Sequence, residues 1–407
     1  MLTWLRSRTR MQRIVIATCC VVVVTQWVVI VHRRATHGGD FDVSREFGRR
    51  FLAHEDLYSG GLHYPYMPAA AMYFSPLALI GPTAGLALRY GAALGCLWLI
   101  LRLLHAMVRQ RSAAVASQEL TIGALSVLLA SHYIIRDLDD GGPHLILLAM
   151  LVGGIYCASK GREHQAAAWF GLAAALKAPA ALFVPFFFWK GRWRLAIGTV
   201  LAASCWIALP AVWMGSSSWW SHQRRWAQVV VGSLTGNRIP VAEDSELRVQ
   251  NEALEPVLIR HLETYTSAQH ANALATVAML GLIGTGGWWA RRRYQALANP
   301  KWLLECSAVL IVTLLMSPVA WVQHMVIVLP ALYLIVAEDR AIRRLGMPAT
   351  AAITVYVILA LVLNREVLGR ERYVLLLNYG TQTLCMLLVL AVIALRRPTV
   401  AGHDAST

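Results

Sequence analysis

The sequence predicts an all-α fold, a polytopic integral membrane helix bundle of about 10–13 transmembrane helices with two extracytoplasmic polar loops carrying short interfacial helices. Three observations predict it. Of 407 residues, 57% are hydrophobic and only 14% charged, and the mean hydropathy is +0.52, too much apolar surface for a soluble core of this size. Apolar runs of near-bilayer length recur along the chain, separated by short basic hinges. Two long polar stretches, about 32–66 and about 215–270, interrupt those runs.

Taken in order, Arg6, Arg8, Arg10 and Arg13 precede the first apolar run, Ile14 to Val31, which predicts a cytoplasmic N-terminus and an outside location for the loop that follows. Within that loop Val43, Phe47, Phe51 and Leu52 recur at helical spacing opposite the charges, the pattern of a short helix lying on the bilayer. Two spans follow, Met67 to about Ile80 and on to about Leu104, split by Gly81 and Pro82. Further spans are expected at Leu120 to Ile135, Leu145 to Ala158, Ala166 to Trp189 and Leu195 to Met214. Lys177, Pro179 and Pro185 mark a candidate break inside the third of these. After the second polar stretch come Ala271 to Ala290, Trp302 to Met316, Trp321 to Ala337, Thr350 to Leu363 and Leu375 to Leu395. The whole reads as one membrane domain, 1–397, with a disordered tail at 398–407.

The net charge of +15 is spread as clusters between apolar runs, which suits topology and anionic membrane lipids rather than nucleic acid. The seven cysteines nearly all fall inside apolar runs without CxxC spacing or neighbouring His ligands, so neither disulfides nor a metal site is expected.

Chemistry is expected where polar groups meet the membrane. Asp40 and Asp42 sit between the first span and the interfacial helix, where a carboxylate can take a proton from an alcohol or simply cap the helix. Tyr64 and Tyr66, in a proline-stiffened entry to the next span, suit either an aromatic belt or a wall of a sugar cleft. Lys177 is an intramembrane cation, a candidate partner for a phosphate or carboxylate, or a lysine snorkelling from a helix end. Trp321 and His324 follow a proline turn, with His324 a candidate proton relay or structural hydrogen-bonder. Arg224 and Arg225 lie among tryptophans at the start of the second loop, and Gln250 and Asn251 lie deeper in it, a set suited to a phosphate head and a sugar ring or to an interface helix.

With these pieces in order, the chain resembles glycosyltransferase family 87, also known as the domain of unknown function 2029 family, of the C superfamily of multi-spanning glycosyltransferases. The resemblance rests on GDFDV at Gly39 to Val43, GRRFLAHEDLY at Gly48 to Tyr58 and YPYMP at Tyr64 to Pro68. Farther on it rests on FGLAAALKAPAALF at Phe170 to Phe183, QNEAL at Gln250 to Leu254 and SPVAWVQH at Ser317 to His324. It implies transfer of a sugar, a hexose such as mannose, from a polyprenyl-phosphate donor to an extracytoplasmic lipid or glycan acceptor. Inversion at the sugar carbon is implied, with the lipid-linked donor as substrate and no cofactor. The family's first-loop aspartate falls on Asp40 as general base, with Asp42 as the fallback. His324 would assist from the opposite wall, while Lys177 and Arg224 or Arg225 would hold the departing lipid phosphate. The resemblance also implies a multi-pass protein of the inner (plasma) membrane with its site on the extracytoplasmic face. The alternative class is a secondary transporter or flippase for a lipid-linked substrate, which should show paired broken helices in two related halves.

Overall fold

The computed structural model describes residues 17, 21, 23–32, 39–59, 66–109, 113–234, 245–291, 300–341 and 345–395. The architecture is all-α, with no strand among the described residues. Helix α1 is Val23–His32. Helix α2, Asp40–Leu52, buries Phe41, Ser44, Phe47, Gly48 and Phe51 and turns its charges outward. This is the amphipathic interfacial helix the sequence predicts, although Val43 lies on its exposed side. Proline at the first turn opens α3, Pro68–Ala78, and α4, Pro82–Val108, because the missing N–H is one the first turn leaves unused. Helix α2 crosses α3 backbone to backbone at Gly48, where a Cβ would lie 2.6 Å from the Phe74 carbonyl oxygen.

Next come α5 (Glu119–Leu129), α6 (Ser131–Asp140), α7 (His144–Ser159) and α8 (Glu163–Leu176). Nearly every residue of α7 is buried, which puts this helix at the centre of the bundle. The predicted span from Ala166 to Trp189 is divided: α8 stops at Leu176, Lys177 is extended at φ −143° and ψ 107°, and a 3-10 turn at Ala178–Leu182 leads into α9, Phe183–Trp189. Pro179 explains the break, since proline cannot donate and disfavours helix at the residue before it.

Helix α10 (Trp193–Ala208) leads to the second polar section, which holds α11 (Ser216–Leu234), α12 (Ser245–Gln250) and α13 (Leu254–Leu262). Then come α14 (Ala268–Trp289), α15 (Pro300–Leu315), a 3-10 segment at Val322–Val328, α16 (Leu329–Ala341), α17 (Met347–Val357), α18 (Arg370–Asn378) and α19 (Thr381–Leu395). Among the described residues, four segments are long and apolar enough to cross a membrane: Pro82–Val108, Trp193–Met214, Ala268–Trp289 and Val322–Asp339. The pair α18 and α19, bent by 58°, makes a fifth if it is one span. Several other predicted spans are present as shorter apolar helices, among them α5, α7 and Met347–Val362. Helix α14 turns Val277, Leu280 and Trp288 outward, an apolar face that suits lipid, and the chain is a membrane protein. Among the enclosed ion pairs, Lys190 reaches Glu305 at 2.8 Å and also donates to the Ala290 carbonyl at 2.9 Å, joining the end of α9 to α14 and α15. The tail at 398–407 lies outside the described residues.

Candidate active site

Asp40 is the first residue of α2, and its neighbour Phe41 fixes where it sits. A Cβ on Gly85 would lie 3.1 Å from the Phe41 ring, and one on Gly141 only 2.7 Å from the Phe41 Cβ, so two glycines form the slot for this ring. Gly141 also ends α6 with φ +67°, the left-handed conformation glycine adopts without strain. The Asp40 carboxylate is half-buried and accepts a hydrogen bond from Gln323 Nε2 at 3.3 Å. Burial pushes its carboxyl up to about 6, with Asp140 and Asp137 adding to the rise and Gln323 and Lys177 opposing it. Asp42 does something else: exposed, it reaches back to accept the Gly39 N–H at 3.1 Å and so caps the helix.

The turn from α6 to α7 adds a buried pair. His144 Nδ1 lies 2.8 Å from Asp137 Oδ1, and the backbone N–H groups of His144 and Leu145 donate to the same carboxylate at 3.2 and 3.1 Å. With Nδ1 donating to the carboxylate, Nε2 is left as the ring's acceptor, and this nitrogen is buried without a hydrogen-bond partner. Gly142 leaves room for the pair, since a Cβ there would lie 2.7 Å from His144 Nδ1 and 2.8 Å from Asp137 Oδ1. Arg89, buried on α4, donates to the Gly142 carbonyl and holds the turn from below.

The 3-10 segment supplies the facing wall. His324 lies against His144, ring centroids 4.1 Å apart, and its Nδ1 is 3.3 Å from both Lys177 Nζ and the Trp321 backbone N–H. A backbone N–H only donates, so Nδ1 is an acceptor and the ring proton sits on Nε2. His144, Lys177, His324 and Ser317 line a cavity of about 30 Å³. The preceding turn is held by Asn251, which donates to the Pro318 carbonyl at 3.0 Å and accepts the Ala320 N–H at 2.9 Å. Next to it Glu252 accepts the Gln382 and Thr383 N–H groups at 3.0 Å each, a cap supplied to α19 from another part of the chain.

A second, larger cavity of about 270 Å³ opens on the other side of the 3-10 segment and is lined by Arg136, Gln250, Trp321, Gln323, Arg365 and Arg370, among others. Gln323 therefore borders this cleft while touching Asp40. Among the described residues, no group of three or more His, Cys, Asp or Glu side chains converges as a metal site would require.

Of the residues singled out from the sequence, Asp40, Lys177, His324 and Trp321 come together here, with Gln250 on the cleft wall and Asn251 as its bracket. Tyr64 lies outside the described residues. Tyr66 accepts the Tyr58 hydroxyl at its carbonyl, 2.8 Å away, and sets its ring edge-on to Phe74. Arg225 is paired with Asp56 and also donates to the Tyr58 carbonyl, while His222 accepts the Leu57 N–H at 3.2 Å, so α11 clasps the first loop. Arg224 is exposed. Sequence reasoning missed Asp137, His144, Arg89, Gln323 and the three arginines of the cleft. The signal for the first two is the acid-rich segment Arg136 to His144, which interrupts the apolar runs on either side of it.

A model of the family described as glycosyltransferase family 87 matches residues 64–318, more than half of the 407-residue chain. The matched stretch includes Asp137, His144, Lys177 and Asn251, begins after Asp40 and ends before His324. No curated protein and no solved structure matches this chain.

Proposed function

The chain belongs to glycosyltransferase family 87, and from that premise we propose that it transfers a hexose from a polyprenyl-phosphate donor to a lipid or glycan acceptor on the extracytoplasmic face of the inner membrane. Asp40 is the base. Its carboxylate takes the proton from an acceptor hydroxyl, that oxygen forms the new bond to the anomeric carbon, and the bond from that carbon to the phosphate oxygen breaks with its electron pair leaving on the phosphate. The products are the glycosylated acceptor and the free polyprenyl phosphate, and Asp40 gives its proton up to water. Lys177, with His324 beside it, stabilises the charge that develops on the departing phosphate. A single displacement inverts the sugar carbon.

The observation that carries this reading is that a half-buried carboxylate, Asp40, and a lysine in a break between two helices, Lys177, flank one 3-10 segment through Gln323 and His324. A base and a leaving-group cation on opposite sides of one element are what an inverting transfer needs. The test is transfer from radiolabelled polyprenyl-phosphate sugars in membranes carrying wild type or Asp40→Asn at matched protein level. Label transfer by wild type alone is expected. Equal transfer by both would remove Asp40 as base, and no transfer by wild type with any donor would remove the enzyme reading in favour of lipid-linked substrate transport.

A further inference from the structure

The cleft of about 270 Å³ is lined by three arginines, Arg136, Arg365 and Arg370, and no acidic residue is among the described residues that line it. Trp321 and Tyr373 add aromatic faces, and Gln250 and Gln323 add amides. This combination is built for a sugar that carries an oxyanion. Guanidinium forks bind phosphate and carboxylate oxygens in pairs, while amides and aromatic faces suit the hydroxyls and the ring. Arg136 is paired with Asp139 and Asp140 at 3.4 and 3.5 Å, so its charge is shared with two carboxylates and anion binding falls mainly to Arg365 and Arg370. Arg365 and Arg370 are exposed.

The position of the cleft says which substrate it serves. Gln323 and His324 are consecutive in a 3-10 segment, where successive side chains point about 120° apart. His324 lines the small cavity with Lys177, where the proposed mechanism puts the leaving phosphate. Gln323 lines the arginine cleft and holds Asp40, where that mechanism puts the nucleophile. The two cavities have no lining residue in common among those that carry charge. We propose that the arginine cleft receives the acceptor, and that the acceptor bears an anionic group, phosphate or carboxylate, close to the hydroxyl that is glycosylated. This rests on the transfer reading given above for Asp40 and goes beyond it by naming the charge class of the acceptor.

The test uses the full-length protein in nanodiscs of neutral lipid and two matched probes, a dialkylglycerol phosphosugar, whose phosphodiester is anionic, and the corresponding uncharged dialkylglycerol glycoside. Binding is measured directly, and sugar transfer from a polyprenyl-phosphate donor is followed in parallel. Wild type is expected to bind the anionic probe at least about tenfold more tightly than the neutral one, a preference that shrinks as salt rises. In Arg365→Gln/Arg370→Gln that preference should vanish while affinity for the polyprenyl-phosphate donor is kept. For transfer to an anionic acceptor, the variant should raise KM with little change in kcat. Equal binding of the two probes by wild type, or an undiminished preference in the double variant, overturns the proposal. A loss of donor affinity instead overturns it by making the cleft the donor's phosphate site. If wild type prefers the anionic probe but transfers no sugar to anything, the anion site stands and the transfer reading falls.

Discussion

Gln323 donates its side-chain amide to Asp40 at 3.3 Å across a separation of 283 residues, so the first polar loop and the Ser317 to His324 turn meet at one carboxylate. Burial is the main cause that pushes this carboxyl up to about 6. A base accepts a proton only when ionised, so transfer should rise with pH through about 6, flatten above it, and fall about tenfold per unit below. A pH profile of kcat/KM tests this, and a profile flat from pH 5 to 8 would remove Asp40 as the titrating base.

Lys177 is among the groups that hold the Asp40 carboxyl down, against burial and two neighbouring acids. Lys177→Met should therefore do two things at once. Transfer should fall about 100-fold or more through loss of the cation at the leaving phosphate, and the remaining activity should show its acid limb at higher pH than wild type. A fall in rate with an unmoved limb would separate Lys177 from Asp40.

Gly142→Ala places a methyl group within 3 Å of His144 Nδ1 and Asp137 Oδ1, so the pair must separate. A thermal scan should report destabilisation of about 1–3 kcal/mol, and transfer should drop with it. Gly123→Ala, where a Cβ meets nothing within 4 Å, is the control without a clash and should keep or raise stability, by up to about 1 kcal/mol.

Arg225 and Asp56 form an ion pair whose side chains are 49% and 43% exposed. A pair that open contributes at most about 1 kcal/mol. Arg225→Ala and Asp56→Ala should each loosen the first loop slightly, seen as faster proteolysis, and the double variant should be no worse than either. A KM for donor that rises only in Arg225→Ala would instead return this arginine to the substrate.

Glu252→Ala leaves the first N–H groups of α19 without their acceptor in a buried setting. Destabilisation of about 2–4 kcal/mol is expected, checked by thermal unfolding in detergent.

Much of this fold was legible in the chain because lipid imposes a simple rule on composition: long apolar runs, basic hinges and a Pro-marked start to α3 and α4 all read directly. Asp40, Lys177, Trp321 and His324 were legible for a related reason, since polar groups stand out against an apolar background. Asp137, His144 and Arg89 were not. Their roles depend on a turn held at Gly141 and Gly142 and on Phe41 entering from another helix, contacts that periodicity does not encode. The arginine cleft was hidden more thoroughly, because Arg136 and Arg365 are far apart in sequence and each alone looks like an interfacial charge. Of the alternatives the sequence left open for Asp42 and Arg225, the structure places Asp42 in the helix cap and Arg225 in the loop clasp.

Asn251 bonds both the Pro318 carbonyl and the Ala320 N–H, so the part of the second polar section around Asn251 is tied to the turn bearing Trp321 and His324. A substrate that displaced this loop to enter would carry the turn with it and draw His324 off Lys177. Under the proposed mechanism, loading and catalytic readiness would then be interlocked: the wall assigned to the leaving group is complete only when the loop is seated, so the donor would stay unactivated while the door stands open.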